Sequence, residues 1–307
     1  MTPQTRISMA AAMVLAATAA QAAVTFDANL EADPTFKSSR SNPVTKSDTS
    51  LGGRVEINAN AALMKQGDNF VNARASLIVP LTGDSVTIDD AWVQFGNSMA
   101  DLKLGRHEAA DLFPLGKDTV VEGVGVASGY KANALRGRMK DGRIHTVIGL
   151  NAAPGLRVEL GVATKKNGSA SAYGLRPTLV YSSGPLAVRL GVESFKTEGS
   201  AMTSVTGVGV SVGYALNKDT TVNVNYARAS KLNASSFGIN GTIGAAGVGY
   251  INDRNSLLNT KVNTVYAAYT FPLFNVKNAT ITPAISHSTG TGVDSLTAVR
   301  LRINYAF

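Results

Sequence analysis

Few residues in this chain have the type and spacing for covalent chemistry. It holds three histidines, His107, His145 and His287, and no cysteine. Without Cys there is no thiolate metal site and no disulfide framework. No His pair has metal-ligand spacing, and neither a Gly-x-Ser-x-Gly elbow nor a phosphate-binding loop occurs. A hydrolase needs a His near a Ser or an acidic partner. His287 is followed by Ser288, but no further partner is evident. The reading is no enzyme, no cofactor and no metal. What recurs with a fixed spacing is the basic side chain. Arg54, Arg74, Lys103, Arg136, Arg138, Arg157, Arg176, Arg189, Arg300 and Arg302 fall on one inferred face, with Glu56, Glu159 and Glu193 among them. Rows of fixed charge bias which ions and polar solutes enter a narrow space, and they break no bond.

The elements that carry these residues read as strands. Val24 to Ala32 has an apolar residue at every even position and a polar one at every odd position. Such alternation sends the two sets to opposite faces of a strand. Leu51, Gly53, Val55, Ile57, Ala59 and Ala61 alternate with Gly52, Arg54, Glu56, Asn58 and Asn60. The pattern returns in Val71 to Val79, Leu156 to Val162, Leu186 to Val192, Val208 to Tyr214, Val222 to Tyr226, Val265 to Phe271 and Val299 to Phe307. No sustained helical stripe competes after the N-terminal segment.

That N-terminal segment reads as a secretory leader. Arg6 supplies a basic start, Met9 to Ala19 an apolar stretch, and Ala20-Gln21-Ala22 a small-residue cleavage site. The expected division is a signal peptide over 1–22 and one domain over 23–307. Loss of Arg6 takes the formal charge from +8 to +7. No later stretch reaches about 18 continuous apolar residues, so no transmembrane helix is expected. A soluble β-sandwich is the competing fold. Its strands average five or six residues, whereas the segments here run to about ten. Arg and Glu in mid-strand also suit a polar lumen better than a sandwich core. Apolar-out, polar-in strands of this length are those of a closed antiparallel, up-and-down transmembrane barrel.

Turns then set the count. Ala153-Pro154-Gly155, Ser183-Gly184-Pro185, Asn217-Lys218-Asp219 and Phe274 to Asn278 are short; Asp33 to Ser50, Lys165 to Ala172, Lys196 to Thr203, about Ala229 to Thr260 and Ser288 to Ser295 are longer. Short turns belong on the periplasmic side and long loops outside, and the strand number is even. About fifteen clear strands leave the parity one short between His107 and Lys131. A weak strand at Asp118 to Ala127 restores it and gives about sixteen, with fourteen as the alternative. The Gly-, Ala- and Asn-rich Ser230 to Arg254 stretch reads as a loop, either external or folded into the lumen.

Three local patterns carry a resemblance. One is Ala100-Asp101-Leu102-Lys103-Leu104-Gly105-Arg106, a strand ending in Leu-Gly-Arg before a long segment. Another is Asp89 to Gly96 as the strand before it. The third is the unbroken apolar phase of Val299 to Phe307 with Tyr305 and a terminal Phe307. The chain resembles the Gram-negative general porin superfamily, including its carbohydrate-porin relatives. The resemblance implies a homotrimer in the cell outer membrane, recognition of the C-terminal strand by the barrel-assembly machinery, and a long connection that folds inward as a constriction. It also implies an Arg ladder facing an acidic loop. Here that places Glu108, Asp111 and Glu122 on the constriction segment, with Arg106 at its start.

The function expected is passive diffusion of small hydrophilic solutes, weakly favouring anions or neutral solutes. A substrate-specific oligosaccharide porin is the alternative, with Trp92, Phe113 and Tyr130 as candidate sugar-stacking aromatics. A structural or adhesive barrel is a further class. Nucleic-acid binding is set aside, because the basic residues are spread along strands and no recognition motif occurs. Lys37, Arg40, Lys46, Lys165 and Lys166 suit external contact with lipopolysaccharide phosphates.

Overall fold

The computed structural model describes residues 23–41, 44–117, 119–121, 129–138, 144–167, 170–198 and 203–307. These residues are all-β. The first five strands are β1 (Ala23–Ser41), β2 (Val44–Gln66), β3 (Asn69–Pro80), β4 (Thr87–Gly96) and β5 (Ala100–Arg106). Then come β6 (Ile144–Ala153), β7 (Leu156–Asn167), β8 (Ala170–Ser183), β9 (Leu186–Glu198) and β10 (Thr203–Asn217). After them lie β11 (Thr220–Ala229), β12 (Ala234–Ile243), β13 (Ala246–Asn255) and β14 (Thr260–Tyr269). The last three are β15 (Phe271–Pro272), β16 (Ala279–Thr291) and β17 (Ser295–Ala306).

Each long strand pairs antiparallel with its neighbours, and β17 pairs back on β1 from Asn29↔Ala306 to Arg40↔Ser295. The ring is therefore closed with sixteen strands; β15 pairs only with β16 and stands outside it. Closure removes the sheet edges that would otherwise expose unpaired backbone groups. Phe307 completes the seam by exchanging two backbone hydrogen bonds with Ala28, at 2.7 and 2.9 Å.

The alternation seen in the sequence sets the faces. Leu150, Leu160, Tyr173, Leu190, Val208, Tyr214, Phe237, Val265, Tyr269 and Tyr305 are exposed on the outside. A soluble surface rarely shows so continuous an apolar band, whereas a lipid-facing one requires it. Short turns join β6 to β7 and β8 to β9, where Gly155 (φ 74°) and Gly184 (φ 51°) take the left-handed conformation of tight hairpins.

Four expectations are corrected. β5 pairs directly with β6, from Ala100↔Leu150 to Leu104↔Thr146, so no ring strand intervenes at Asp118 to Ala127. Most of that segment lies outside the described residues, and residues 119–121 are not strand. Arg136 and Arg138 likewise leave the wall: residues 129–138 hold no strand and form part of the long β5–β6 connection. The two ring strands are instead β12 and β13, within the stretch read as a loop. Finally, Asp33 to Ser50 is a ladder and not a loop: β1 and β2 stay paired up to Ser41↔Val44.

Candidate functional site

The interior is shaped by the β5–β6 connection, which lies inside the ring against one arc of its wall. It packs there because the wall makes room. The inward positions of the facing strands are small: a Cβ on Gly174 would meet Leu135, on Gly191 Leu112, on Gly207 Tyr130, on Gly209 Ala132, and on Gly238 Phe113, each within 3 Å. Leu112, Phe113, Tyr130 and Ala132 fill that space and form one buried cluster with Val205, Ala227, Ala229, Ala234, Ile251 and Tyr266. Farther along, Val120 packs on Ala268, Ala284 and Ala298. Burying each large apolar side chain contributes roughly 1.5–3 kcal/mol.

Polar side chains from the wall hold the connection's backbone. Asn225 and Asn240 Nδ2 both donate to Pro114 O at 2.8 Å, and Tyr266 OH donates to Leu115 O at 2.7 Å. Arg300 Nη1 donates to Thr119 O at 2.6 Å. Arg176 Nη2 donates to Ala110 O at 2.8 Å and to Ala132 O at 3.2 Å. Glu193 accepts from Tyr130 OH at 2.6 Å and from the backbone N–H of Ala134 and Leu135 at 3.1 and 2.9 Å. Burial together with the Glu193 carboxylate pushes the Tyr130 phenol far above its ordinary range, so it stays a neutral donor.

At the root of the connection Arg106 is anchored by its guanidinium. Its Nε donates to the carbonyls of Ile88 and Asp89 at 2.9 and 2.6 Å, and its Nη1 to Arg138 O at 2.7 Å. Gly105 (φ 117°) is required just before it, since a Cβ there would lie 2.3 Å from Ala91 O.

The arc opposite the buried seam, chiefly β1 to β7 with Arg302 of β17, is charged, and the described part of the connection leaves most of it uncovered. Arg54 pairs with Glu31 and Glu56 (3.3 and 3.2 Å), and Arg74 with Glu56 and Asp90 (3.6 and 3.4 Å). Arg138 reaches from the connection to Asp89 and Asp90, both at 3.0 Å. Arg157 pairs with Asp101 and Glu159 at 2.7 and 2.8 Å, and Arg302 with Asp33 at 2.6 Å. The carboxylates sit back against the wall and the guanidinium groups stand forward. Arg157 is 29% exposed against 4% for Asp101, and Arg138 is 31% against 9% for Asp89. A solute in this space meets N–H donors whose charge is already largely balanced.

The remaining residues singled out from the sequence separate into groups. Glu108 and Asp111 do lie on the connection, but both face Arg136 of the same segment, at 3.1 and 3.8 Å. Glu122 lies outside the described residues. Arg189 is half-buried on β9. Lys103 makes no ion pair among the described residues; its ammonium sits 3.7 Å over the Trp92 ring. Phe113 is 2% exposed and Tyr130 7%. Their rings are packed in the seam between connection and wall and offer almost no face for a sugar, because the glycine-lined wall accepts them as core. Trp92 is only half-buried.

Sequence reasoning missed the residues that seat the connection, namely the inward glycines, Asn225, Asn240 and Tyr266. A signal existed in Gly207-Val208-Gly209-Val210-Ser211-Val212-Gly213, where the polar phase of a strand is nearly all glycine. A wall open to water has no need of so small a face.

The comparisons with known proteins agree with this geometry. Residues 20–153 match the family described as porin-like glycoporin RafY. No curated protein sequence matches the chain. Among solved structures, the anion-selective porin from Comamonas acidovorans superposes with a TM-score of 0.71 at 13% identity, over 93% of this chain and 100% of that one. A loop L8 deletion mutant of OmpT, an outer membrane protein of Vibrio cholerae, gives 0.67 at 15% identity, over 92% and 99%. The outer membrane channel DcaP of Acinetobacter baumannii gives 0.67 at 12% identity, over 93% and 97%. The fold is therefore similar to that of solved outer-membrane porins, and the first part of the chain matches a porin-like glycoporin family.

Proposed function

We propose that this protein is an outer-membrane porin, a channel rather than an enzyme, through which small hydrophilic solutes diffuse passively. The observation that carries the reading is the uncovered arc of the lumen, where forward guanidinium groups are backed by recessed carboxylates. Such a surface hydrogen-bonds polar solutes as they pass, while its near-balanced charge leaves only a weak field. Net selectivity is then weak, leaning to anions or neutral solutes. The reading includes a homotrimer, assembly through the C-terminal strand, and contact of external basic residues with lipopolysaccharide. Reversal potential in planar bilayers under a salt gradient tests it. A small anion-side potential supports it, and strong cation preference or absence of current sinks it.

A second reading is a carbohydrate-specific porin, favoured by the glycoporin match and by the half-buried Trp92 beside Lys103 in the lumen. Sugars stack on aromatic faces while charged neighbours bond their hydroxyls. Current blocked by oligosaccharides, but not by polyols of equal size, would select this reading over the general one.

A further inference from the structure

The outgoing and returning legs of the β5–β6 connection cross at its root. His107 follows β5 directly, and its carbonyl accepts the Arg138 N–H at 2.9 Å from the returning leg. Ala109 N–H donates to Arg136 O at 2.7 Å, and Glu108 bridges Gly137. Behind this crossing His145 of β6 stacks on His107, with ring centroids 4.4 Å apart and planes 20° apart. The two residues are 1% and 2% exposed. His145 Nδ1 lies 3.3 Å from His107 O, while both nitrogens of His107 and Nε2 of His145 have no partner. The crossing has no slack, since a Cβ on Gly137 would lie 1.8 Å from His107 O and 2.8 Å from His145 Nδ1.

We propose that the His107–His145 stack is an acid-sensitive latch: neutral rings hold the root of the connection closed, and protonation of either ring opens it. The inference rests on reading the connection as the constriction of a channel. A buried imidazolium needs an acceptor or a counter-charge; the backbone carbonyls of Gly105 and His107 are acceptors at the two rings, but among the described residues no unpaired carboxylate faces them. Lys103 from β5 and Arg176 from β8 face the pair with the wrong sign. Glu159 from β7 already accepts Arg157 Nε at 2.8 Å. On the connection, Glu108 is paired with Arg136, and Arg138 with Asp89 and Asp90. A proton on one ring also repels the other. Burial, then the neighbouring His145 and Lys103, accordingly holds His107 down at about 3, against an ordinary imidazole value of 6.5.

The sign follows. The depressed value belongs to the closed root, and the ordinary one to the open root. Closure is fully favoured above the ordinary imidazole range. Below it, opening grows about tenfold per pH unit through His107, until its closed-state value is reached.

Two measurements on the purified full-length protein test the latch. Hydrogen exchange at the Ala109 and Arg138 amides, corrected for intrinsic rates, reads the root itself. Single-channel current in planar bilayers reads the consequence. Between neutral pH and about pH 4.5, root protection falls at least tenfold and the current becomes unsteady, both reversibly. In His107→Gln/His145→Gln that has assembled into a heat-modifiable barrel, both responses are lost. A response that persists in the variant assigns the effect to Glu108–Arg136 and overturns the latch. So does undiminished protection at acid pH in the unaltered protein, which needs no variant. Absence of current at every pH sinks the channel reading instead, and the exchange result still decides the latch.

Discussion

Arg176 on β8 and Glu193 on β9 form a buried pair, Nε to Oε2 3.8 Å, with side chains 1% and 0% exposed. Each also grips the internal connection. Arg176 donates to its carbonyls, and Glu193 accepts from its N–H groups and from Tyr130. The connection is therefore held by the two halves of one ion pair, and neither half is satisfied without it.

Removing one partner should release the connection without opening the ring. Glu193→Ala leaves Arg176 buried without its paired carboxylate, at a cost of roughly 3–5 kcal/mol. The β8–β9 ladder does not depend on either side chain. The expected outcome is a heat-modifiable barrel whose single-channel current is noisier and larger than that of the parent. Arg176→Met/Glu193→Leu removes the unpaired charge and should lie closer to the parent than Glu193→Ala does. A double-mutant cycle on conductance noise and chemical stability reads the coupling. Additive effects would show that the pair does not act as a unit.

Lys103 should carry more of the ion selectivity than the carboxylate-paired arginines of the ladder. Arg54, Arg74, Arg157, Arg300 and Arg302 are paired with carboxylates, whereas Lys103 is held over Trp92 by a cation–π contact worth about 0.5–1 kcal/mol. Lys103→Gln is expected to move the reversal potential toward cations and to lower barrel stability by no more than that contact, about 0.5–1 kcal/mol. The double change Arg157→Gln/Asp101→Asn removes a balanced pair and should leave the potential where it was. Equal shifts in the two variants would mean that local charge balance does not set selectivity.

At the rim that carries the short turns Asp68 joins two of them, accepting from Ser98 N–H at 3.1 Å and Ser98 Oγ–H at 2.7 Å. These bonds hold its carboxyl below the ordinary carboxylate value of 3.8. A depressed carboxyl contributes stability above its unfolded value and loses it as pH falls through its folded one. Asp68→Asn should therefore loosen these turns at neutral pH and differ little from the parent in strong acid. Exchange of the Ser98 amide across that range measures it. A constant difference at all pH values would rule out the carboxylate as the cause.

Much of the wall was legible because lipid on one side and water on the other impose period two. The arginines on β2, β3, β7, β8 and β17 fell inward as alternation required. The strand count also came to sixteen, but through compensating misplacements. β12 and β13 were read as loop because their inward faces carry Ser236, Gly238, Asn240, Gly247 and Gly249. Those small and amide side chains are what the connection rests on: Gly238 lies under Phe113, and Asn240 holds Pro114. Packing across more than a hundred residues of chain thus removed the local signature of two strands. Conversely, Val120 looked like wall because it is apolar, and it is apolar because the connection has a buried side of its own.

The glycine seat gives the sharpest test of that relationship, because one strand carries its own control. Gly209 and Gly213 both face inward on β10. At Gly209 a Cβ would lie 2.6 Å from Ala132 Cβ and 3.0 Å from Leu112 Cβ, both in the buried seam. Neither can yield, since Ala132 is already at a positive φ of 55° and Leu112 is fully buried. At Gly213 the closest atom is Asn223 Oδ1 at 2.5 Å, the end of a flexible side chain held by one bond, from its Nδ2 to Asn240 Oδ1 at 3.0 Å. Alanine suits a strand backbone at either position, so the ladder itself should tolerate both. Gly209→Ala is therefore expected to strain the seam by about 1–3 kcal/mol, push the connection toward the opposite wall and lower single-channel conductance. Gly213→Ala should leave conductance within error of the parent. If both variants conduct alike, the inward glycines reflect strand composition and not a seat for the connection.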